Sequence, residues 1–315
     1  MKLKSIKNIC SVPLVFPGFF HLLESFIGRK FGGFICCWHN LSAERFQNHV
    51  ETLHPAEPIP LEELVNRFRS GKSTKGCYAL TFDDGIGSTV RDISKKCINK
   101  GWPVTFYVPT GYLDGEVLPY QKIEFINKYL PVDEYDIPDF SKNFVNKIAN
   151  KKEIIKTLTD LLYFENFTVV KKTLDYFINL LDREKKTLLN KEFPMPISWN
   201  EIEDLSKNTA ISFQSHSVTH SALSGLSEKE IEYEMIKSKE MIESHTNRKV
   251  HSFCYPYGEK KSIGEIAPRI AAKHFSSAVT LLRGRLEKNN PFYLPRIGLY
   301  SEDTSSFVRL KAVLG

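Results

Sequence analysis

Two adjacent carboxylates end one apolar run of this chain, and a pair of histidines ends another. The carboxylates lie in TFDDG, Thr81–Gly85, and the histidines in SHSVTH, Ser215–His220. Asp-Asp-Gly is ordinary turn chemistry in its own right, and Gly85 permits a sharp exit from a strand. Histidines separated by three residues share a face within a helical turn, so His216 and His220 are expected on one such turn, able to hold one ion. A lone pair of this kind is more often exposed or satisfied in a core. With strand-end carboxylates in the same chain, it becomes a two-histidine, one-carboxylate set with coordination positions left open for water. A metal held in that way polarises a carbonyl and lowers the pKa of bound water, which is hydrolytic chemistry. The same donor set also describes non-haem iron oxygenases, whose sites usually sit on all-β scaffolds.

The elements that would position these residues show as seven short apolar runs, at 33–39, 77–83, 103–109, 211–216, 250–256, 276–282 and 294–300. Helical stripes separate most of them. Phe46, Val50 and Leu53 mark one; Leu61, Leu64, Val65 and Phe68 mark another behind Pro60; Val90, Ile93, Cys97 and Ile98 mark a third, closed by Gly101. Capping boxes at Ser198 with Glu201 and Ser227 with Glu230 open two later helices. This alternation predicts an α/β fold with a mostly parallel sheet, and seven strands suffice to curl into a closed or nearly closed barrel. Active sites on such barrels collect at the C-terminal ends of the strands. Residues 111–197 break the rhythm, with stripes at Ile154, Ile155, Leu158, Leu161 and Leu162, then at Val170, Leu174, Phe177, Ile178 and Leu181. They predict a helical insertion that leaves the third strand over the active-site face, as a lid or as a structural outgrowth. Because it contains none of the candidate ligands, replacing it by a short linker is expected to alter substrate preference while retaining metal.

The chain has 315 residues and 42% hydrophobic content, enough for one large core or two modest ones. Its 43 Lys and Arg against 37 Asp and Glu give +6, but the charges are dispersed, and no nucleic-acid partner is expected. The six cysteines, at 10, 36, 37, 77, 97 and 254, show no CxxC spacing, which suits a reducing compartment. Cys36 and Cys37, as neighbours on a strand, are expected to point to opposite faces, which argues against a shared zinc site. Asn8–Gly28 has one formal charge, Glu24, and follows Lys2, Lys4 and Lys7. Pro13, Pro17, His21 and Glu24 interrupt it and no small-x-small cleavage pattern follows, so neither a signal peptide nor a membrane span is expected. Phe19, Leu22, Leu23, Phe26 and Ile27, flanked by Arg29 and Lys30, form a stripe suited either to a membrane surface or to docking on the domain. The expected organisation is an apolar and basic segment at 1–30, with peripheral membrane contact through residues 8–30, and a catalytic domain at 31–315. The expected location is cytoplasmic, peripheral at the inner membrane face.

Together these motifs resemble the polysaccharide deacetylases with the NodB-homology domain, whose first two motifs read TFDDG and H-S/T-x-x-H. The likeness continues at FCYPYG, Phe253–Gly258, at LPRIGLY, Leu294–Tyr300, and at CWHN, Cys37–Asn40. The resemblance implies a distorted (β/α)7 barrel in which Asp84, His216 and His220 hold a divalent metal. Zinc is the first expectation, with nickel, cobalt and manganese as alternatives. It further implies Asp83 as general base and the backbone N–H of Tyr257 as oxyanion donor. Many members carry an Arg beside the first Phe of the third motif to orient the catalytic Asp; here that place is Cys254. Arg296 is the expected replacement, with a surface ion pair as the competing reading. Members commonly supply the general acid from a C-terminal histidine, yet no histidine follows His274. His39 stands instead at the end of the first run, in a position resembling the biofilm poly-N-acetylglucosamine deacetylases. An imidazole there can give a proton near neutral pH, while a strand-end histidine satisfied by the Asn40–Ser42 turn is the structural alternative. The implied substrate is an N-acetylated sugar or glycan precursor. The alternatives are a non-sugar amide, or loss of catalysis with retention of sugar binding.

Overall fold

The structure, a computed structural model, describes residues 32–137 apart from 114 and 116, then 147–286 and 290–314. The apolar and basic segment 1–30, with the membrane contact expected of residues 8–30, lies outside the described residues. The strands are β1 (Phe34–Trp38), β2 (Glu57–Pro58), β3 (Cys77–Phe82), β4 (Val104–Val108), β5 (Glu134–Ile137), β6 (Lys147–Asn150), β7 (Ile211–Ser215), β8 (Ser252–Cys254), β9 (Ser277–Val279) and β10 (Ile297–Gly298). Each of the seven expected runs contains one of them. The runs form a parallel sheet in the order β10-β1-β3-β4-β7-β8-β9, with β2 added beside the start of β3. Its two edges meet: Val279 bridges Leu294, and the Arg296 N–H donates to the Leu282 carbonyl. The result is a distorted (β/α)7-type barrel, with helices on the outside.

Period-two alternation decides which side chains enter the barrel. On the outward parity, Phe34, Cys36 and Trp38 of β1, Tyr78, Leu80 and Phe82 of β3, Val104, Phe106 and Val108 of β4, and Phe213 of β7 lie in the core beneath the helices. Trp38, Phe82, Phe106 and Phe213 are direct cross-strand partners, and their rings follow one another at 5.3, 5.7 and 5.6 Å between centroids. Such pairs add to sheet stability beyond their buried area. On the inward parity stand Ile35, Ala79, Tyr107, Cys254 and Val279, a smaller cluster inside the barrel. Carried one step past the strand end, that parity brings Asp83 in after Ala79 and Thr81, and His216 in after Ser212 and Gln214.

The insertion departs from a purely helical reading. Its helices Pro119–Tyr129, Lys151–Phe164 and Phe167–Leu180 enclose a core of their own around Phe125, Leu158, Leu161, Leu174 and Phe177, but β5 and β6 add an antiparallel hairpin. The alternation in EYDI and KIAN is too short to stand out from helical periodicity. The end of the insertion is tied to the carboxylate loop. Ile197 N–H donates to Gly85 O at 2.8 Å, and Gly87 N–H donates to Met195 O at 2.9 Å. A Cβ on Gly87 would sit 3.0 Å from the carbonyl oxygens of both Met195 and Pro196, so a larger residue would press the two segments apart by a few tenths of an ångström.

Candidate active site

β3 delivers Asp83 in extended continuation of the strand, its N–H donating to Trp38 O at 2.9 Å. The backbone then reverses through two left-handed residues, Asp84 at φ 70° and Gly85 at φ 63°. Gly85 adopts that region readily, whereas at Asp84 it is an uncommon conformation stabilised by its surroundings. This reversal is what lets neighbouring carboxylates, which would otherwise point oppositely, both reach one cleft.

The histidine loop differs from the expected helical turn. Ser217 and His220 are themselves left-handed, at φ 68° and 54°, and the segment after β7 is irregular. Its geometry is imposed by a buried glutamate that the motifs did not reveal. Glu234, on the helix Glu228–Thr246, accepts from Val218 N–H at 2.8 Å, Thr219 N–H at 2.9 Å and the Thr219 hydroxyl at 2.7 Å. His220 N–H donates to Ser217 Oγ at 2.9 Å. His216 Nδ1 lies 2.9 Å from the Cys254 carbonyl, which can only accept, so Nδ1 carries the proton and Nε2 presents a lone pair. Burial, then the neighbouring His220, pushes the His216 pKa down to about 4, which keeps the ring neutral. The His220 ring is set by packing, edge-on to His216 at 4.7 Å and to Tyr257 at 4.9 Å.

His216 Nε2 and His220 Nε2 lie 3.6 and 3.4 Å from the same atom, Asp84 Oδ1. Donor atoms on a tetrahedral zinc with bonds of ~2.0–2.1 Å are separated by roughly 3.3 Å, so the three atoms fit one small cation. Two other groups among the described residues also converge, Cys37 with His39 and Asp83, and Asp83 with His216 and Cys254. Both need Asp83, which is already held by a cation, and a thiol whose pKa burial pushes well up. The Asp84, His216 and His220 set is therefore the better ligand site.

Arg296, 0% exposed, spans the barrel interior to Asp83. Its two terminal nitrogens donate to Asp83 Oδ1 at 2.8 Å and Oδ2 at 2.6 Å, and its Nε donates to Thr280 O at 2.8 Å. This is a buried bidentate pair, not a surface one. Cys254 leaves room beside it, with Sγ 3.1 Å from the guanidinium. Burial pushes the Asp83 carboxyl up, but the Arg296 charge and hydrogen bonds outweigh it and hold the group well below the usual carboxylate range.

A cleft of about 620 Å³ opens over these groups. His39 lines it, with Nε2 3.9 Å from Asp83 Oδ2 and 39% of the side chain exposed. Tyr257 lines it too, in a left-handed turn with Gly258 at φ 60° and 59°. The other wall is the insertion, through Ile123, Ile155, Leu162 and Tyr163. The insertion also reaches the candidate ligand group, because the Tyr120 hydroxyl donates to Asp84 Oδ2 at 2.9 Å. Burial and the Asp84 charge push the Tyr120 pKa up. Tyr120 reads in sequence as one more core aromatic of an amphipathic helix, and no local signal marks it. Glu234 had a faint one, a charge within the buried stripe of Ile231, Met235, Ser238 and Ile242.

A family model described as polysaccharide deacetylase matches residues 70–270. No protein of curated function matches the chain. Among solved structures it is similar to the deacetylase PplD of Streptococcus pyogenes in complex with acetate, at 13% identity and a TM-score of 0.55 over 89% of this chain and 96% of that one. It is likewise similar to IcaB from Ammonifex degensii, at 15% identity and a TM-score of 0.57 over 90% and 98% of the two chains. The BpsB deacetylase domain from Bordetella bronchiseptica aligns at 12% identity and a TM-score of 0.53 over 84% and 95%. At these identities the likeness is one of fold.

Proposed function

Because the chain belongs to the polysaccharide deacetylase family and is a hydrolytic carbohydrate deacetylase, we propose that it removes the acetyl group from the nitrogen of an N-acetylated sugar in a metal-dependent reaction. The observation that carries this reading is the convergence of Asp84 Oδ1 with His216 Nε2 and His220 Nε2 beside the Arg296-held Asp83. Two imidazoles and a carboxylate suit zinc, and also nickel, cobalt or manganese. A divalent cation bound there supplies a Lewis acid for the amide carbonyl and a water of lowered pKa.

The remaining steps belong to the chain. Asp83 is ionised at any working pH and accepts a proton from the attacking water as the new carbon–oxygen bond forms. Its low proton affinity makes it better at orienting that water than at keeping the proton, and His39 Nε2, 3.9 Å away, is the next acceptor. The carbon–nitrogen bond breaks as His39 gives a proton to the departing amine, so water divides between acetate and the free amine. Tyr257 N–H holds the oxyanion of the tetrahedral intermediate. The aromatic rings of Tyr163 and Tyr257 give the cleft flat apolar faces for the carbon–hydrogen side of a sugar. Peripheral contact with the cytoplasmic face of a membrane through residues 8–30 is proposed from their apolar and basic pattern alone.

The test is mass spectrometry of candidate N-acetylated saccharides for loss of acetyl, with and without chelator. His216→Ala should lose bound metal and this activity together. Acetyl loss that persists in full after chelation would overturn the metal-dependent reading. For the proton donor, His39→Ala should lose far more activity on an N-acetyl sugar than on an activated aryl acetate, whose phenolate leaves without protonation. Equal losses on both substrates would remove His39 from that role.

A further inference from the structure

The ligand set has a contributor from outside the barrel. Asp84 shows different partners to its two oxygens: Oδ1 faces both histidines, while Oδ2 accepts from Tyr120 at 2.9 Å. Tyr120 is the second residue of the helix Pro119–Tyr129, whose Ile123, Phe125 and Ile126 are fixed in the insertion's own core. Its ring lies 6.0 Å from the His220 ring, so the phenol approaches from the cleft side. A carboxylate free at both oxygens can turn and chelate a cation with both, filling a position that water or the amide carbonyl needs. A donor locked to one oxygen prevents this.

We propose, resting on the reading of Asp84, His216 and His220 as the metal ligands, that Tyr120 is a positioning residue which holds Asp84 to one-oxygen coordination. The 111–197 insertion is then a working part of the metal centre. Its replacement by a short linker should weaken metal binding, contrary to the expectation drawn from its lack of ligands.

The experiment uses Co2+ as probe, with affinity measured by chelator competition and coordination by visible absorption. Tyr120→Phe keeps the ring and removes only the hydroxyl. Orienting partners of metal ligands are typically worth about 10- to 100-fold in affinity. Tyr120→Phe should therefore bind Co2+ at least ~10-fold more weakly, with a spectrum shifted toward a higher coordination number, while the metal-free variant melts as the wild type does. Tyr120→Gln, whose shorter amide can donate to the same oxygen through a bridging water, should recover part of the affinity. Unchanged affinity and spectrum in Tyr120→Phe would overturn the proposal, as would loss of folded protein in both variants, which would make Tyr120 a folding residue. His216→Ala separates the underlying reading. Wild-type Co2+ affinity in that variant would mean that the ligand set itself is wrong, whatever Tyr120→Phe shows.

Discussion

Asp83→Asn should retain bound metal and lose roughly 10²-fold or more of kcat, the usual range for removing a general base. The prediction follows from a division of labour between neighbours: Asp84 Oδ1 faces the histidines, while both oxygens of Asp83 are engaged by Arg296. An amide keeps the shape of the carboxylate but cannot take the proton, and it leaves the Arg296 charge without a counterion. Metal content by elemental analysis, kcat and an unfolding curve therefore belong in one experiment. Full turnover in Asp83→Asn would sink the base assignment, and loss of metal would show that the two aspartates had been given the wrong roles.

The second large effect is on stability. Arg296→Met should destabilise the fold by about 3–5 kcal/mol, because it leaves a buried carboxylate with no cation. Replacing both partners, as in Asp83→Leu with Arg296→Met, should recover much of that loss while abolishing activity, since a buried pair exchanged for apolar groups of similar volume is often neutral or stabilising. The pH dependence has a definite sign. In the wild type, the depressed Asp83 pKa contributes stability above the ordinary Asp value of about 3.9, and this is lost as pH falls through the folded-state value. In Arg296→Met, burial still raises the carboxyl and is opposed only by the neighbouring His216 and His39, so the variant should gain stability relative to the wild type as pH falls. Denaturant titrations across that range measure both. A single variant that unfolds at the wild-type midpoint would mean that water reaches Asp83 and that the ion pair is not truly buried.

The placement of the carboxylates and histidines was legible because they follow strand ends, where period-two alternation carries an inward parity one step further. The same regularity made the seven strands readable, since each is a short apolar run between turn signals. What failed to show depends on partners distant in sequence. The helical turn expected at 216–220 is replaced by a loop because Glu234, on the following helix, takes three of its donors. No spacing rule within SHSVTH encodes that. Tyr120 fills a position in its helix that an ordinary core aromatic would fill, and only the docking of the insertion turns its hydroxyl toward Asp84. β2 is two residues, Glu57 and Pro58, with no alternation to detect. The placement of Arg296 could be anticipated only because Cys254 stands where an arginine would be expected, which left a carboxylate in need of a partner.

The closing of the barrel has a consequence for how the chain comes to be active. β1 pairs on one side with β3 and on the other with β10, and Arg296 sits in the segment that joins the last strands to the first. During synthesis, residues 34–82 emerge more than two hundred positions before the guanidinium that compensates Asp83. Contacts of such long sequence separation are slow to form. Until that segment docks, an early sheet holds an edge strand without its neighbour and Asp83 without its cation. Closing the barrel and pairing Asp83 with its cation are thus one docking event, so the candidate centre is assembled only in a chain whose last strand has reached its first.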